Sequence, residues 1–264
     1  MPTAMLLHAH PDDEVFANFG WAYDLASRGY DVIGVIATGG EANELHATAS
    51  LREARTRRIE KYERALDMLG ASAWTWLDAS AGWVDAPSGP SLAGAAPDQL
   101  RVGVERLLTQ HRPDIVLTVG SDGLTGHPDH VAIARALSTA TNRGSVPEGV
   151  WGARLRADDV RAGGVLVGSH AREVQVGSGR VVGTTARLVA RDVRSSAAAR
   201  RRALDVYREG LGTDSLESIV SGADRIGDSI VLRGVFDATG WGQEYYEAVS
   251  PDHGSTAARQ NAAC

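Results

Sequence analysis

The stretch of the chain best equipped for chemistry lies near its start, where His8-Ala9-His10-Pro11-Asp12-Asp13-Glu14 places two histidines and three acids within seven residues. It overlaps the end of an apolar run, residues 4–9, that predicts a buried strand. Because Pro11 lacks a backbone N–H, the chain is forced out of the strand there. Such a turn presents imidazole and carboxylate groups at one point, where they can bind a metal or transfer protons.

A second cluster, Gly126-His127-Pro128-Asp129-His130, follows another predicted strand at residues 114–119. It repeats the order of strand, glycine-bearing loop and His-Pro-Asp at a helix start. Ligands bind at the carboxyl ends of the strands in a doubly wound sheet, so we expect His10, Asp13 and His130 to converge. Two histidine nitrogens and one carboxylate, with positions left open, are typical of a catalytic Zn²⁺ site, and the same donors suit Fe²⁺.

Each of these residues also has a purely structural interpretation. Asp12 or Asp13 can cap the helix predicted to follow, because Asp is a strong N-cap residue. Asp129 can likewise cap the helix that begins near His130. Two His-Pro-Asp loops at equivalent points of two strand–helix units nevertheless favour the metal site.

The elements that must position these loops alternate between strands and helices in the first half of the chain. The predicted strands are residues 4–9, 31–38, 73–77 and 114–119, and the predicted helices are residues 14–28, 50–69, 98–111 and 129–142. This alternation predicts an α/β fold with a Rossmann-like, mostly parallel sheet flanked by helices. Residues 83–97, rich in Gly, Pro, Ser and Ala, predict a loop long enough to carry function.

The second half of the chain is less regular, and a β/α part is expected there. The predicted strands are residues 163–168, 180–190 and 229–236, and the predicted helix is residues 195–209. Because no linker separates the halves, residues 1–250 are interpreted as one catalytic domain, with a motif-bearing half at 1–145 and a substrate-side half at 146–250. Residues 251–264 are polar and small and predict a flexible tail.

Composition and charge exclude several classes of protein. The 264 residues carry a net charge of −6, which disfavours nucleic-acid binding because phosphate neutralisation needs a basic surface. The single cysteine, Cys264, cannot build a disulfide framework or a thiolate metal site. No apolar stretch approaches the roughly 20 residues of a membrane span, and the N-terminus has no basic leader region. We expect a cytoplasmic protein that binds neither nucleic acid nor membrane, and the sequence leaves a homo-oligomer open.

The two motifs together, AHPDDE at residues 9–14 and GHPDH at residues 126–130, resemble those of the PIG-L/LmbE-like family of metal-dependent N-acetylglucosaminyl deacetylases and amidases. The resemblance extends over the motif-bearing half of the chain. It implies a Rossmann-like sheet, a mononuclear Zn²⁺ site, and removal of an acyl group from an amino sugar or its conjugate.

The resemblance also implies roles for individual residues. His10, Asp13 and His130 would be the metal ligands. Asp12 would be the general base beside the metal, and His127 would face the scissile amide.

Other positions depart from the family's pattern, and the departures fall around the substrate. Arg58 takes the position of an arginine that helps to hold the sugar, but Lys61 stands where Glu is usual. The loop after the third strand has Ala81 where an acid is usual, and residues 207–210 replace a His-x-Ser-Gln segment.

Three residues are candidate substrate contacts, namely Arg58, Glu41 and Trp83. Glu41 follows a Gly-Gly turn at the expected sheet edge. Trp83 is expected either to pack in the core or to contact a substrate aglycone. The altered sugar contacts predict weak activity on free N-acetylglucosamine and better activity on a larger conjugate.

The expected function is a zinc-dependent hydrolase that removes an N-acetyl group from an amino sugar or its conjugate. An amidase for a mycothiol-type thiol–sugar conjugate, or a tailoring deacetylase of a natural product, would share the motifs. A nucleotide-binding Rossmann protein is disfavoured because residues 6–20 offer His and Asp where a phosphate loop needs glycines. A binding protein with a dead site is disfavoured because every polar residue of both motifs is present.

Overall fold

The computed structural model describes residues 1–86, 89–141, 147, 149–171 and 181–249. The strands are β1 (Thr3–His8), β2 (Asp31–Ile36), β3 (Ala73–Trp76), β4 (Ile115–Val119), β5 (Gly149–Arg156), β6 (Gly183–Thr184), β7 (Val189–Asp192) and β8 (Gln243–Ala248). They form an eight-stranded sheet in the order β3-β2-β1-β4-β5-β8-β7, with β6 paired to β5. The predicted tail at residues 251–264 lies outside the described residues.

The first five strands run parallel, as the alternating sequence predicts, and β8 and β7 add an antiparallel edge. This arrangement confirms the α/β class with a mostly parallel sheet. The chain moves outward from β1 to β2 and β3, then returns to place β4 on the other side of β1. A reversal of this kind opens a crevice at the carboxyl ends of the two central strands, β1 and β4.

The helices lie between these strands and cover the sheet. They are α1 (Asp13–Ala17), α2 (Phe19–Ser27), α3 (Leu51–Leu69), α4 (Pro97–His111), α5 (Gly123–Gly126), α6 (Pro128–Thr141), α7 (Ala157–His170), α8 (Ala197–Tyr207), α9 (Leu216–Ser221) and α10 (Asp228–Ala238). The helix predicted at 14–28 is broken into α1 and α2 at Asn18. The Asn18 side chain pairs with His8 Nε2 at 2.6 Å and donates to the Thr118 carbonyl at 3.2 Å, which ties the break to β1 and β4.

Two predicted strands in the second half are wrong. Residues 163–168 and 229–236 lie inside α7 and α10. These helices pack tightly, and a Cβ on Gly163 would lie 2.5 Å from the Val235 nitrogen. A short apolar run at such a buried contact has no periodicity that separates helix from strand.

The other predictions for this half agree better with the structure. The helix predicted at 195–209 is confirmed as α8. Of the strand predicted at 180–190, the described residues contain only β6 and the start of β7, and residue 180 lies outside them. The sequence reading missed β5 and β8, which pair with each other antiparallel.

Apolar side chains fill both faces of the sheet, as expected for parallel strands covered by helices. On β1, Leu6 belongs to one buried cluster and Leu7 to another. The central strands β1 and β4 are therefore buried up to the carboxyl ends from which the loops emerge. Among the described residues, no helix has the length and apolarity needed to cross a membrane.

Candidate metal-dependent active site

The loops that follow β1 and β4 meet at the sheet edge and bring the three expected metal ligands together. His10 Nδ1 lies 3.1 Å from His130 Nε2, and His130 Nε2 lies 3.0 Å from Asp13 Oδ1. The remaining separation, from His10 Nδ1 to Asp13 Oδ2, is 3.8 Å. All three residues are buried, at 4%, 5% and 8% exposure for His10, Asp13 and His130.

Hydrogen bonds fix the orientation of each of these side chains. His10 uses Nε2 to bond Asp129 Oδ2 at 3.1 Å, and His130 uses Nδ1 to bond the Gly123 carbonyl at 2.9 Å. Asp13 Oδ2 accepts the backbone N–H groups of Ala9 at 3.1 Å and His10 at 3.0 Å. Asp129 Oδ2 and the Gly123 carbonyl each accept a ring N–H. The lone pairs on the other ring nitrogens, His10 Nδ1 and His130 Nε2, therefore face the same point.

Two facing nitrogen lone pairs beside a carboxylate require a cation between them. Without a metal, that cation is a proton. Burial lowers the pKa of His10, but the hydrogen bond to Asp129 and the charge of Asp13 outweigh it and raise the pKa to about 9. A divalent metal meets the same requirement with better geometry, since imidazole nitrogen and carboxylate oxygen are its usual ligands. The residues present therefore fit a metal ion.

Asp129 has a role that sequence reasoning missed. Its place in the sequence predicts only a helix cap, but its Oδ2 bonds His10 and its Oδ1 accepts the backbone N–H of Ala93 at 2.8 Å. Carboxylates commonly orient a ligating histidine in this way. The adjacent His-Pro-Asp letters carried the signal, but only the fold shows which histidine the carboxylate reaches.

His127 lies on the more open side of the same cluster. Its ring centroid is 4.8 Å from that of His10 and 4.9 Å from that of His130. Burial, followed by the charges of His10 and His130, lowers the pKa of His127. Its Nδ1 accepts the backbone N–H of Asp129 at 3.3 Å, which leaves Nε2 to carry the ring proton.

Asp12 lies directly before Asp13, one of the expected metal ligands, in a strained backbone conformation. Its φ of 109° is unusual for a residue with a side chain. It occupies the N-cap position of α1, but its side chain makes no capping hydrogen bond. The Arg58 guanidinium donates to Asp12 Oδ2 instead. Burial raises the pKa of Asp12, and the charge of Arg58 partly offsets that rise.

The other side of Asp12 is held by a buried pair that the sequence did not reveal. Asp12 donates its backbone N–H to Glu14 Oε2 at 3.0 Å, and Glu14 Oε1 accepts the Tyr207 hydroxyl at 2.5 Å. Burial raises the pKa of Glu14 to about 8. The Arg58 guanidinium carbon lies 4.6 Å over the Tyr207 ring. In the sequence, Tyr207 marks only a departure from the family's usual segment.

The expected substrate contacts fall into three different environments. Arg58 is only 3% exposed and also donates to the Pro11 carbonyl at 3.2 Å. Glu41 is fully buried and accepts from Arg55 Nε at 2.5 Å. Trp83 is 5% exposed inside an apolar cluster, which favours its packing interpretation over contact with a ligand.

Asp85 is an acid that sequence reasoning missed. It lies in the predicted loop 83–97, and one of its carboxylate oxygens comes within 4.8 Å of ligand atoms on His10 and Asp129. Its backbone N–H donates to Glu41 Oε2 at 3.0 Å, so Glu41 ties the loop down. Asp85 is the single acid between residues 79 and 97, which is a usable signal in a segment without periodicity.

Comparisons with known proteins identify relatives of this chain. A family model described as PIG-L, GlcNAc-PI de-N-acetylase, matches residues 5–141. A 1D-myo-inositol 2-acetamido-2-deoxy-alpha-D-glucopyranoside deacetylase of Corynebacterium diphtheriae is 28% identical over 168 residues, 59% of this chain and 57% of the relative. The chain thus spans little more than half the length of that curated relative.

Solved structures show the same fold at low sequence identity. A deacetylase triple mutant from the teicoplanin biosynthetic pathway superposes with a TM-score of 0.62 at 16% identity, covering 95% of this chain and 99% of that chain. The 4-carboxy-2-hydroxymuconate hydratase of Pseudomonas putida KT2440 gives a TM-score of 0.59 at 17% identity, covering 95% and 97%. The family match covers more than half of the chain and both of its motifs, and the chain therefore belongs to the PIG-L family.

Proposed function

We propose that this chain is a zinc-dependent hydrolase that removes an N-acetyl group from an amino-sugar conjugate. The observation that carries the proposal is the convergence of His10 Nδ1, His130 Nε2 and the Asp13 carboxylate within 3.8 Å, with Asp12 alongside. The family match and the names of the relatives, which are mostly deacetylases, support the same reaction.

His10, Asp13 and His130 would hold the metal. Three protein ligands leave positions open for water and substrate, which is the pattern of catalytic zinc sites. A bound Zn²⁺ would polarise the amide carbonyl and lower the pKa of a water molecule toward neutrality. Fe²⁺ suits the same donor set.

Asp12 is suited to move the proton of the hydrolytic reaction. Its carboxylate accepts a proton from the attacking water and passes it to the leaving amine nitrogen. Because burial raises the pKa of Asp12, the protonated form is accessible during the cycle. The charge of Arg58 offsets part of the rise in the pKa of Asp12, and the Arg58 contact fixes the direction of the carboxylate.

His127 is suited to stabilise the carbonyl oxygen as that oxygen gains negative charge. Its lowered pKa keeps the ring neutral near pH 7, and its Nδ1 is occupied by the Asp129 N–H. The ring therefore offers Nε2–H as a donor. A fixed donor in a partly buried site is worth more than the same donor in water.

Asp85 is suited to bind the sugar. An acid on a loop at the rim of the metal site can accept hydrogen bonds from sugar hydroxyls, and polar contacts of this kind give strong selectivity. The conjugate can be an inositol glycoside, a thiol–sugar amide or a glycopeptide. The relatives' names include an inositol glycoside deacetylase and a teicoplanin-pathway deacetylase. All three classes of conjugate therefore remain candidate substrates.

The test is a hydrolysis panel with the zinc-loaded protein. The panel contains N-acetylglucosamine, N-acetylglucosaminyl-inositol, a thiol–sugar conjugate and an acylated glycopeptide, and both acetate and free amine are measured. We expect stoichiometric amine and acetate from at least one conjugate, with less from the free sugar. Metal-loaded protein that releases no amine from any member contradicts the proposal.

A further inference from the structure

A cleft of about 620 Å³ opens beside Asp12, and none of His10, Asp13 and His130 lines it. We call this cleft the basic cleft. The acids, arginines and lysine that line it are Asp12, Glu44, Arg57, Arg58, Lys61 and Arg208. Because Asp12 belongs both to this wall and to the catalytic cluster, a substrate bound at the metal has the cleft as a neighbour.

Both carboxylates of the basic cleft form ion pairs with cations of the same cleft. Arg58 pairs with both Asp12 and Glu44, and Lys61 Nζ lies 2.5 Å from Glu44 Oε1. Arg57 reaches outside the cleft to Glu53 at 2.7 Å.

Arg208 is the cation of the basic cleft that has no ion pair with a described residue. Its guanidinium has no ion pair or hydrogen bond with any described residue, and the residue is exposed. The lining thus carries four cations against two acids, although the whole chain is acidic at −6.

Two of these cations, Lys61 and Arg208, are linked through Tyr207. Lys61 Nζ also donates to the Tyr207 carbonyl at 3.2 Å, and Arg208 follows Tyr207 directly. These two contacts hold the ammonium group in place while one of its three N–H donors stays free. The fixed ammonium and the unpaired guanidinium therefore belong to residues that line the same cleft.

We propose that the basic cleft binds an anionic group of the substrate, a carboxylate or a phosphate, carried beyond the amino sugar. Arginine and lysine side chains both bind these groups, and a cleft of one charge sign concentrates oppositely charged ligands. The proposal rests on the proposed function, since it assigns the chemical class of the conjugate that Asp12 would help to hydrolyse.

The test compares substrates of similar size that differ in charge. One pair is N-acetylglucosaminyl-glucose and N-acetylglucosaminyl-glucuronic acid, and the other is methyl N-acetylglucosaminide and N-acetylglucosamine 1-phosphate. We expect kcat/KM at least about fivefold higher for the anionic member of one pair at low salt, falling as salt rises. The pair that responds separates carboxylate from phosphate. A ratio of one or below in both pairs overturns the proposal.

Charge-removing variants locate the effect. Arg208→Gln and Lys61→Gln should each lower the anionic-to-neutral ratio about three- to tenfold, because each removes one charged hydrogen bond. Arg202→Gln is the matched control, since Arg202 is an exposed residue of α8, the helix that ends directly before Arg208, and does not line the cleft. A ratio that survives both cleft variants overturns the proposal.

A binding measurement separates this proposal from the proposed function. Calorimetry with N-acetylglucosamine 1-phosphate and methyl N-acetylglucosaminide reports affinity without turnover. If no substrate is hydrolysed but Arg208→Gln weakens binding of the phosphate compound, the proposed function fails and the basic cleft stands. Equal affinity for the two compounds means that the basic cleft does not recognise anions.

Discussion

The Tyr207 hydroxyl donates to Glu14 Oε1 at 2.5 Å, and both side chains are buried. The second oxygen of Glu14 holds the backbone N–H of Asp12, while the Tyr207 ring supports Arg58, which holds the Asp12 carboxylate. Tyr207 therefore supports Asp12 through both its backbone and its side chain. Support is needed because a φ of 109° costs on the order of 1–3 kcal/mol in a residue with a side chain.

Tyr207→Phe should weaken catalysis without removing the metal. The variant leaves Glu14 without its donor and loosens Asp12, so we expect kcat to fall about tenfold with KM little changed. Tyr246→Phe is the matched control, because it removes a buried hydroxyl bond of 2.6 Å to Glu244 on β8. Both variants should lose about 1–2 kcal/mol of unfolding free energy. Equal losses of kcat in the two variants would show that Tyr207 is merely structural.

Asp12→Asn should separate catalysis from metal binding. The substitution keeps the shape of the side chain but removes its proton acceptor, so kcat should fall about 10²- to 10⁴-fold while zinc content stays the same. Steady-state kinetics and metal analysis on one preparation check this. Loss of zinc in this variant would mean that Asp12, rather than Asp13, is the ligand.

His10→Ala and His130→Ala should each lose most of the bound metal. The parent protein is expected to hold about one divalent ion per chain, because three donors converge at one point. His46→Ala serves as the control, since His46 is exposed and belongs to neither group of side chains that could hold a metal. Full metal stoichiometry in both ligand variants would refute the assignment.

Asp129→Asn should weaken zinc binding without abolishing it. The asparagine amide has no negative charge with which to accept the His10 N–H. Losses of about 10- to 100-fold in metal affinity are usual for such changes. Competition with a chelator of known affinity measures the effect. An unchanged affinity would show that Asp129 only secures the loop at Ala93.

The metal-free protein should lose stability as the pH rises from 6.5 to 9. The pKa of His10 is raised from 6.5 to about 9 in the folded chain, so the protonated ring stabilises the fold fully below 6.5 and the benefit disappears above 9. Thermal unfolding across this range checks the sign. Zinc-loaded protein should show a smaller loss, because the metal replaces the proton on His10 while the raised pKa of Glu14, about 8, contributes in both forms. A metal-free protein whose melting temperature rises over this range would contradict the shared-proton interpretation.

The sequence by itself determined the α/β class, the first four strands and the convergence of His10, Asp13 and His130. These features depend on local patterns: apolar runs set the strands, and a His-Pro-Asp turn after a strand sets where the side chains emerge. Parallel pairing of β1 with β4 then brings the two loops together. The sequence was misleading where short apolar runs lie in α7 and α10, since their packing partners lie far along the chain.

Only the tertiary structure decided which residues support the proposed ligands and Asp12. Asp129 reaches His10 across 119 residues of sequence, and Tyr207 reaches Glu14 across 193. The same is true of Asp85, which lies near His10 and Asp129, and of Arg208, which follows the end of α8 and lines the basic cleft. Such contacts depend on where distant elements pack, and a hydrogen bond forms only when two atoms come within about 3 Å. No local pattern encodes that approach, so these roles emerge from the packed fold.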